Sequence, residues 1–171
     1  MGLFDRFLNL NRKADVDPVC EPLHVYAPVS GSVMPLAEFP DPVFSQGILG
    51  QGCGIEPSDG RIYAPADGEI TSAPSTGHAV GLESGGMDIL VHVGVDTVEM
   101  KGKGFSMKVS KGQKVRKGEL LLTFDRKAIV AAGHPSTVAV VVTNSEDLGT
   151  AAFSDSSAVS TGDCLFCFCG D

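Results

Sequence analysis

The stretch on which the fold prediction depends lies in the middle of the chain and reads Gly85-Gly86-Met87-Asp88-Ile89-Leu90-Val91-His92-Val93-Gly94-Val95-Asp96-Thr97-Val98. Its apolar, β-branched centre predicts a buried strand. The two glycines before that strand predict a tight hairpin turn, since glycine adopts positive φ angles without steric cost. His92 stands inside the strand, where packing alone would favour Val or Ile, and is therefore the first candidate for a functional residue.

A second histidine precedes the predicted turn, in the segment Ser75-Thr76-Gly77-His78-Ala79-Val80. If the two segments pair symmetrically about Gly85, the numbers of opposite residues sum to 170, which places His78 directly across from His92. Such cross-strand neighbours have Cβ atoms about 4.5–5.5 Å apart. A bulge at the glycines would shift this register and turn one ring to the other face of the sheet. We predict the facing arrangement.

Two facing imidazoles are suited to phosphoryl transfer. A neutral imidazole offers a lone pair to phosphorus, and apolar surroundings disfavour the imidazolium form. A partner ring can donate N–H to the phosphoryl oxygens, and positioning and electrostatics supply most of the catalysis in such reactions. We therefore predict that His92 accepts a phosphoryl group, that His78 stabilises it, and that Thr76 holds the tautomer of His78 through a hydrogen bond.

Length, charge and hydropathy limit the class of protein. A chain of 171 residues is long enough for one domain with a true core. The net charge of −8 and pI of about 4.9 argue against nucleic-acid binding, which needs a clustered basic surface, and favour a basic partner protein. No stretch approaches the ~20 apolar residues of a membrane span, and the start resembles no signal peptide. We expect a soluble, cytoplasmic protein.

The five cysteines are Cys20, Cys53, Cys164, Cys167 and Cys169. This odd number, with no signal peptide, is most simply explained by reduced thiols in a cytoplasm. The terminal Cys-x-x-Cys-x-Cys motif has metal-like spacing but offers three sulfurs and no neighbouring histidine in the sequence, so no metal role is predicted for it. His24 and His134 also lack a companion at a useful spacing and are interpreted as structural or exposed.

Two pairs of similar segments predict a domain of two similar halves. The first pair is Tyr26-Ala27-Pro28-Val29-Ser30-Gly31-Ser32-Val33 and Tyr63-Ala64-Pro65-Ala66-Asp67-Gly68-Glu69-Ile70. The second is Val115-Arg116-Lys117-Gly118-Glu119-Leu120-Leu121 and Val159-Ser160-Thr161-Gly162-Asp163-Cys164-Leu165. Each repeats a turn followed by a strand, and long helical periodicity is missing. We predict an all-β fold, an antiparallel sandwich or barrel with internal duplication and only short helical turns, over residues 20–171.

The first 19 residues are interpreted as a flexible tail. Leu3, Phe4, Phe7 and Leu8 share one face at helical spacing, with basic residues flanking them. Residues 1–13 are therefore either a frayed terminus or a short amphipathic helix that contacts an anionic membrane surface.

A segment between the first repeats, residues 38–50, carries apolar residues outside any predicted central strand, because Pro42 excludes one there. Its apolar side chains either form an exposed face carried by a loop or cap the core. They are Val43, Phe44, Ile48 and Leu49.

Together these motifs resemble a known family, the glucose-type enzyme IIA of the bacterial phosphoenolpyruvate-dependent sugar phosphotransferase system. The resemblance is carried by Gly86-x-x-Ile89-Leu90-Val91-His92-Val93-Gly94-Val95-x-Thr97-Val98, Thr76-x-His78-Ala79, Pro40-Asp41, Val43-Phe44, Glu99-Met100-Lys101-Gly102-x-Gly104-Phe105 and the opening Met1-Gly2-Leu3-Phe4-Asp5-Arg6. It runs along nearly the whole chain and implies the single-domain, free-standing form of the family. It also favours membrane contact by the tail.

The resemblance implies a phosphoryl carrier with a docking surface around the histidines. His92 would take phosphate from the histidine-containing phosphocarrier protein and pass it to the enzyme IIB domain of an enzyme IIB/IIC sugar permease, with no cofactor required. Two acids at the rim, Asp41 and Asp96, match the family by motif position. The apolar contacts implied are Val43, Phe44, Ile48, Leu49 and Val80. Glycerol kinase, non-cognate permeases and adenylate cyclase are implied as regulatory partners.

Two other classes of function are weighed beside this one. The first is a zinc hydrolase or zinc-binding protein in which His78 and His92 are the metal ligands. Catalytic zinc normally has three protein ligands, and no third is apparent in the sequence. The two histidines remain candidates for half of a zinc site shared with a partner protein, as the family resemblance implies for glycerol kinase. The second class is a biotinyl or lipoyl carrier, suggested by Met107-Lys108 and Gly112-x-x-Val115, whose spacing from the lysine is too short.

Overall fold

The predicted all-β architecture is present in the computed structural model, which describes residues 23–169. Its strands are β1 Leu23–Tyr26, β2 Gly31–Pro35, β3 Gln51–Pro57, β4 Arg61–Tyr63, β5 Gly68–Ser72, β6 Ala79–Ser84, β7 Met87–Val93, β8 Phe105–Met107, β9 Lys114–Val115, β10 Leu120–Phe124, β11 Val138–Val142, β12 Ala151–Phe153, β13 Ala158–Val159 and β14 Cys164–Phe168. The tail predicted over residues 1–19, with its amphipathic segment 1–13, lies outside the described residues.

The described strands form one large sheet and two small ones, and every pairing among them is antiparallel. The large sheet has the order β13-β2-β3-β11-β7-β6-β5-β9, and the small sheets have the orders β1-β14-β12 and β4-β10-β8. β7, which carries His92, lies between β11 and β6 near the middle of the large sheet.

The internal duplication predicted from the repeats is visible in the backbone hydrogen bonds. The N–H of Tyr26 donates to Pro65 O over 2.9 Å, and the N–H of Tyr63 donates to Pro28 O over 2.8 Å, so the first pair of repeats is joined reciprocally. The second pair behaves alike, because Ala27 N–H donates to Asp163 O and Ala64 N–H to Glu119 O, each over 2.7 Å. The two halves therefore use the same turn chemistry.

Helical structure in the described part is short. The α-helices are α1 Pro42–Ser45 and α2 Arg126–Ala131, and 3-10 turns cover Leu36–Glu38, Thr97–Met100 and Ser145–Asp147. Asp41 caps α1 by accepting a hydrogen bond from Val43 N–H, and Pro42 occupies its first turn, where a missing N–H has no cost. Between residues 23 and 169, no helix is long and apolar enough to cross a membrane.

The large sheet has two apolar faces of unequal size. Alternate residues of β7 and β11, such as Val91 and Val140, join the main core between the large and small sheets. The residues between them face the opposite way, where Ala139 and Val141 form a smaller cluster with Phe39, Phe44 and Val95. We call the two sides the inner and the outer face. The outer face is covered by the segment that contains the 3-10 turn Leu36–Glu38 and α1.

Candidate functional site: a histidine pair on the outer face

His92 lies on the outer face, and small residues flank it on both neighbouring strands. In the ladder it is opposite Ala139 of β11 and Ala79 of β6. Alanine side chains leave space on either side of an imidazole, whereas larger residues would fill it. The ring is therefore half-buried, held by its own strand and open to contact with other aromatic groups.

The predicted register of the hairpin is wrong by one residue. Ser84 pairs with Met87, so the residue opposite His92 is Ala79 and His78 is not directly across from it. The physical reason is that Gly85 and Gly86 both adopt positive φ angles, 58° and 91°, and form a two-residue turn that closes the ladder one position later.

The two rings nevertheless meet, because His78 precedes the first residue of β6 and strand alternation does not fix its direction. Their centroids are 5.2 Å apart and their planes are 79° from parallel. The carbonyl of His78 accepts a hydrogen bond of 2.7 Å from Val93 N–H, which ties its backbone to β7. The facing pair predicted from the sequence is thus present, produced by a different register.

The tautomer of His92 is fixed by the backbone of Gly94. His92 Nδ1 lies 2.9 Å from Gly94 O, and because a carbonyl oxygen only accepts, Nδ1 carries the hydrogen. The lone pair of the neutral ring is therefore on Nε2. Gly94 has a φ of 78°, and a Cβ at this position would lie 2.5 Å from Thr97 Cγ2 and 2.8 Å from Pro135 O. Only glycine turns the carbonyl toward the ring here.

Thr97 stabilises the turn that contains Gly94. Its hydroxyl, fully buried, donates to the carbonyl of Val93 over 2.5 Å. The N–H of Gly94 donates to Thr137 O over 2.9 Å. The carbonyl of Gly94, which orients His92, is thus held in place by contacts on both sides of the turn. Gly94 and Thr97 belong to the stretch on which the fold prediction depends, but no pattern in the sequence indicates that they orient His92.

Thr76 contacts His78 as predicted. Thr76 Oγ1 lies 2.7 Å from His78 Nδ1, and the bond orients the ring so that Nε2 is its remaining nitrogen. The bend that allows this contact places Gly77 at a φ of 68°, with its N–H donating to Pro74 O over 2.9 Å. Both imidazoles are therefore held through Nδ1, His78 by a hydroxyl and His92 by a carbonyl.

Aromatic packing supports the other side of His92. The ring centroids of Phe44 and His92 are 5.2 Å apart, and those of Phe39 and Phe44 are 5.1 Å apart. Phe44 is 3 % exposed. The imidazole of His92 is therefore held between an aromatic ring that belongs to the outer cluster and the second imidazole, a contact that restricts its rotation.

Burial lowers the pKa of both histidines below the usual 6.5. For His92 the loss of solvation is the largest cause, and the nearby His78 lowers the pKa further. Smaller effects oppose this, since the Gly94 carbonyl and the carboxylates of Asp41 and Asp96 favour the charged form. For His78, burial is the cause. Both imidazoles are consequently neutral at pH 7, which is the form that carries a nucleophilic lone pair.

Two acids stand near the histidines. Asp41 caps α1, and Asp96 begins the 3-10 turn after β7 with a left-handed φ of 56°. Both are close enough to raise the pKa of His92. Asp96 is exposed and Asp41 half-buried, which fits the acidic rim implied by the family resemblance.

The apolar residues expected to surround the histidines divide into surface and core. Val43 and Ile48 are 44 % and 67 % exposed, and Leu49 is half-buried against the outer cluster. Two expectations need correction: Phe44 is buried beneath His92, and Val80 is 1 % exposed because it faces inward into the main core. Neither presents a side chain at the surface.

Val98 is an exposed apolar residue of this region that the sequence analysis did not select. It is 52 % exposed in the 3-10 turn Thr97–Met100, next to the buried Thr97. Strand alternation, applied to the run after His92, could not place it, because the strand ends at Val93 and the chain then turns. The segments that precede β3 and follow β7 thus present three exposed aliphatic side chains, Val43, Ile48 and Val98.

Among the described residues, no third metal ligand accompanies the two imidazoles. Within residues 23–169, no group of three or more His, Cys, Asp or Glu side chains is arranged to hold a metal ion. The pair can supply two nitrogen ligands, both from neutral rings, and any further ligands would have to come from outside these residues.

Comparison with known proteins agrees with the fold. Residues 23–148 match the family model of the phosphoenolpyruvate-dependent sugar phosphotransferase system, EIIA 1, so the chain belongs to this family. It is 38 % identical over 149 residues to the glucose-specific EIIA component of Halalkalibacterium halodurans, covering 85 % of this chain and 86 % of that protein.

A solved structure and a longer relative extend the comparison. Glucose permease IIA from Mycoplasma capricolum is 35 % identical, with a TM-score of 0.80 and coverage of 86 % of this chain and 96 % of that one. The beta-glucoside-specific EIIBCA component of Dickeya chrysanthemi is 47 % identical over 124 residues, which is 72 % of this chain and 20 % of that protein. The chain thus spans about a fifth of this relative's length.

Proposed function

We propose that the protein is a phosphoryl carrier of the sugar phosphotransferase system and that Nε2 of His92 is the atom that carries the phosphate. The strongest support is the 2.9 Å contact between His92 Nδ1 and Gly94 O. Because this contact holds the hydrogen on Nδ1, the lone pair that can attack phosphorus is on Nε2. The ring is neutral and half-buried beside a second imidazole. These are the requirements for a nucleophile that is ready before its donor arrives.

In the accepting step, His92 Nε2 forms a bond to phosphorus while the bond between phosphorus and the donor's nitrogen breaks. The electron pair of the broken bond returns to the donor imidazole. The hydrogen on Nδ1 stays on the ring, shared with the Gly94 carbonyl, and this hydrogen bond strengthens as the imidazole becomes positively charged. The donor is the histidine-containing phosphocarrier protein, as the family resemblance implies.

His78 stabilises the phosphoryl group in this proposal. When Thr76 Oγ1 donates to His78 Nδ1, the hydrogen of His78 is on Nε2 and is available to the phosphoryl oxygens. The developing negative charge would be met by an N–H that is already in place, which costs no reorganisation during transfer. Thr76 is then a positioning residue that acts through His78.

In the second step the phosphate passes to an enzyme IIB domain of a sugar permease, where the family resemblance implies a cysteine acceptor. A sulfur–phosphorus bond forms and the bond to His92 Nε2 breaks, with the electron pair returning to the ring. Val43, Ile48 and Val98 would exclude water from the docked pair, and Asp41 and Asp96 would meet basic groups of both partners. A protein that performs this reaction would work in the cytoplasm.

The test is phosphorylation with phosphoenolpyruvate, enzyme I and the phosphocarrier protein, comparing wild type with His92→Ala and His78→Ala. We expect no phosphate on His92→Ala. We expect His78→Ala to take up phosphate but to transfer it poorly to enzyme IIB. His134→Gln, which changes a histidine outside the pair, serves as the control and should behave as wild type. Acid-stable phosphate, or phosphate retained in His92→Ala, would contradict the proposal.

A second candidate function is regulatory binding through a shared zinc ion. The two neutral rings, 5.2 Å apart between centroids, fit half of such a site, with a partner carboxylate as a further ligand. Glycerol kinase is the partner that the family resemblance implies, with non-cognate permeases and adenylate cyclase as other regulatory targets. Zinc-dependent binding of glycerol kinase that is lost in both His78→Ala and His92→Ala would support this role, and zinc-independent binding would exclude it.

A further inference from the structure

The exposed side of the small sheet β1-β14-β12 carries a concentration of sulfur that the phosphoryl site does not use. Cys164, Cys167 and Cys169 are free thiols, exposed or half-buried. They account for three of the four cysteines in the described residues, and the fourth, Cys53, is buried in the main core. Their common position on one sheet is the starting point of the inference.

A β-bulge brings the three thiols to one side. In a regular strand, Cys164 and Cys167 would point to opposite faces because they are three residues apart. In the pairing with β1, however, Val25 is opposite Phe166 and the next residue, Tyr26, is opposite Cys164, so Leu165 is the extra residue of a bulge. Leu165 and Phe166 are both buried, and the cysteines before and after them share the solvent side.

The same pairing brings a histidine into this cluster. His24 of β1 is opposite Cys167, and its Nδ1 lies 3.5 Å from Cys164 Sγ. On the other side of the cluster, Cys167 Sγ and Cys169 Sγ are 3.6 Å apart. The sequence motif lacked a neighbouring histidine, and the fold supplies one from 140 residues away.

These separations are close to those of ligands around a tetrahedral metal ion. With metal–sulfur bonds of about 2.3 Å and metal–nitrogen bonds of about 2.0–2.1 Å, tetrahedral geometry holds two sulfurs about 3.8 Å apart and a sulfur about 3.6 Å from a nitrogen. The two measured pairs have nearly these spacings. We propose that Cys167 and Cys169 bind a zinc-type divalent ion and that Cys164 and His24 complete its coordination.

Coordination of one ion by all four side chains requires a change of their rotamers. As they stand, the four groups form two pairs and do not converge as three or more ligands on a single point. All four side chains lie at the solvent side of the sheet, so rotation about their χ1 angles does not disturb the core. The backbone supplies the register, and the ion supplies the energy that brings the pairs together.

Metal binding by the three thiols balances in protons and electrons. On binding, each thiol releases its proton to solvent while its sulfur forms a bond to the metal, so no oxidant or reductant takes part.

The experiment uses the full chain, reduced and freed of metal, titrated with Co²⁺ as a spectroscopic probe and then with Zn²⁺ as competitor. We expect one ion per chain, with absorption bands of tetrahedral Co²⁺ and of thiolate-to-cobalt charge transfer. Cys167→Ser combined with Cys169→Ser should remove the charge-transfer band and weaken affinity by more than about 100-fold, since changes beyond the ligands already cost about 10- to 100-fold. Cys164→Ser and His24→Gln, each of which removes one ligand, should each weaken it by more than about 10-fold.

Matched controls are Cys53→Ala for the thiols and His134→Gln for the histidine, and neither should alter the titration. Thermal unfolding of each apo variant checks that it is folded. Retention of the Co²⁺ spectrum in the double variant would overturn the proposal, as would an equal loss in Cys53→Ala or a stoichiometry other than one ion per chain. Loss of binding in His78→Ala would place the ion at the phosphoryl site and would also overturn it.

Discussion

The inner and outer faces of the large sheet are made by alternate residues of the same strands, yet they differ in what covers them. The inner face of β7 and β11 packs against the small sheets in a core that includes Val91 and Val140. The outer face is covered by a single short segment, whose Phe44 belongs to the same cluster as Val141 of β11. A polar ring inside the first face would be sealed off, whereas on the second face it is half-buried and remains accessible.

This difference explains how a strand with an apolar sequence can contain a reactive side chain. Val91 and Val93 anchor β7 in the main core, and His92 between them faces the thin cover. The anchored strand fixes the position of the imidazole, and the outer cluster excludes enough water to keep it neutral. We infer that the inner face determines stability and the outer face determines reactivity.

The largest effect is expected at Gly94, the residue that follows β7. Gly94→Ala would place a Cβ 2.5 Å from Thr97 and 2.8 Å from a backbone oxygen, at a φ of 78°. We expect a loss of about 3 kcal/mol in unfolding free energy and no phosphate uptake, measured by urea unfolding and by the phosphorylation assay. Gly86→Ala, which has a similar φ of 91° but open space around it, should cost about 1 kcal/mol and retain uptake. Equal losses would show that the close packing around Gly94 is unimportant.

Substitutions at two neighbouring residues of β11, one on each face, compare the two faces directly. Val140→Ala opens a cavity in the main core and should cost about 2–3 kcal/mol in urea unfolding, with normal phosphate uptake. Val141 lies under the covering segment, which can move into the space that Val141→Ala leaves. We expect this substitution to lower the unfolding free energy by about 1 kcal/mol and to slow phosphate uptake. The two valines are equally buried, at 0 % exposure. If both substitutions lower stability equally and leave uptake unchanged, the distinction between the faces is wrong.

A smaller effect is expected at the aromatic contact beneath His92. Phe44→Leu keeps most of the apolar volume and should cost about 1 kcal/mol, but it removes the ring that packs 5.2 Å from the imidazole. We expect phosphate uptake to slow by about 10-fold, measured as an initial rate at limiting phosphocarrier protein, because aromatic contacts are worth about 0.5–1.5 kcal/mol. Phe153→Leu is the control, since Phe153 is 48 % exposed on a different sheet. An unchanged rate in Phe44→Leu would exclude a positioning role.

The smallest effect is the pH dependence of stability. Because burial lowers the folded-state pKa of His78 and His92 below 6.5, the unfolded chain binds more protons near pH 6. Stability should therefore be fully present above about pH 7 and fall as the pH drops from there through the folded-state pKa values. Urea unfolding between about pH 5 and about pH 7 should show a shallower slope for His92→Gln than for wild type. An identical slope would mean that the ring is not desolvated.

The sequence predicts those features of the fold and the site that depend on neighbouring residues in the chain. The strand around His92, the glycine turn and the duplication follow from composition and repeats, and the structure confirms them. The register failed by one residue because parity cannot tell whether one or two glycines form the turn, and both Gly85 and Gly86 do. The pairing of the two rings survived this error because His78 lies outside the regular strand.

Features that depend on distant contacts were beyond the sequence. We expected Phe44 and Val80 at the docking surface, but Phe44 is buried in the outer cluster and Val80 faces inward into the main core. His24 had no companion by spacing, since Cys164 reaches it only through strand pairing across the whole chain. The exposed Val98 follows a turn that alternation cannot foresee. Local patterns thus predict the elements, and the tertiary pairing decides their neighbours.

We propose that phosphate is carried on Nε2 of His92 because the Gly94 carbonyl holds Nδ1. The most direct test is NMR of the chain labelled with ¹⁵N in its histidines and phosphorylated through enzyme I and the phosphocarrier protein. We predict a phosphorus–nitrogen coupling at Nε2 of His92 alone. Phosphate on Nδ1 of His92, or on His78, would contradict the account.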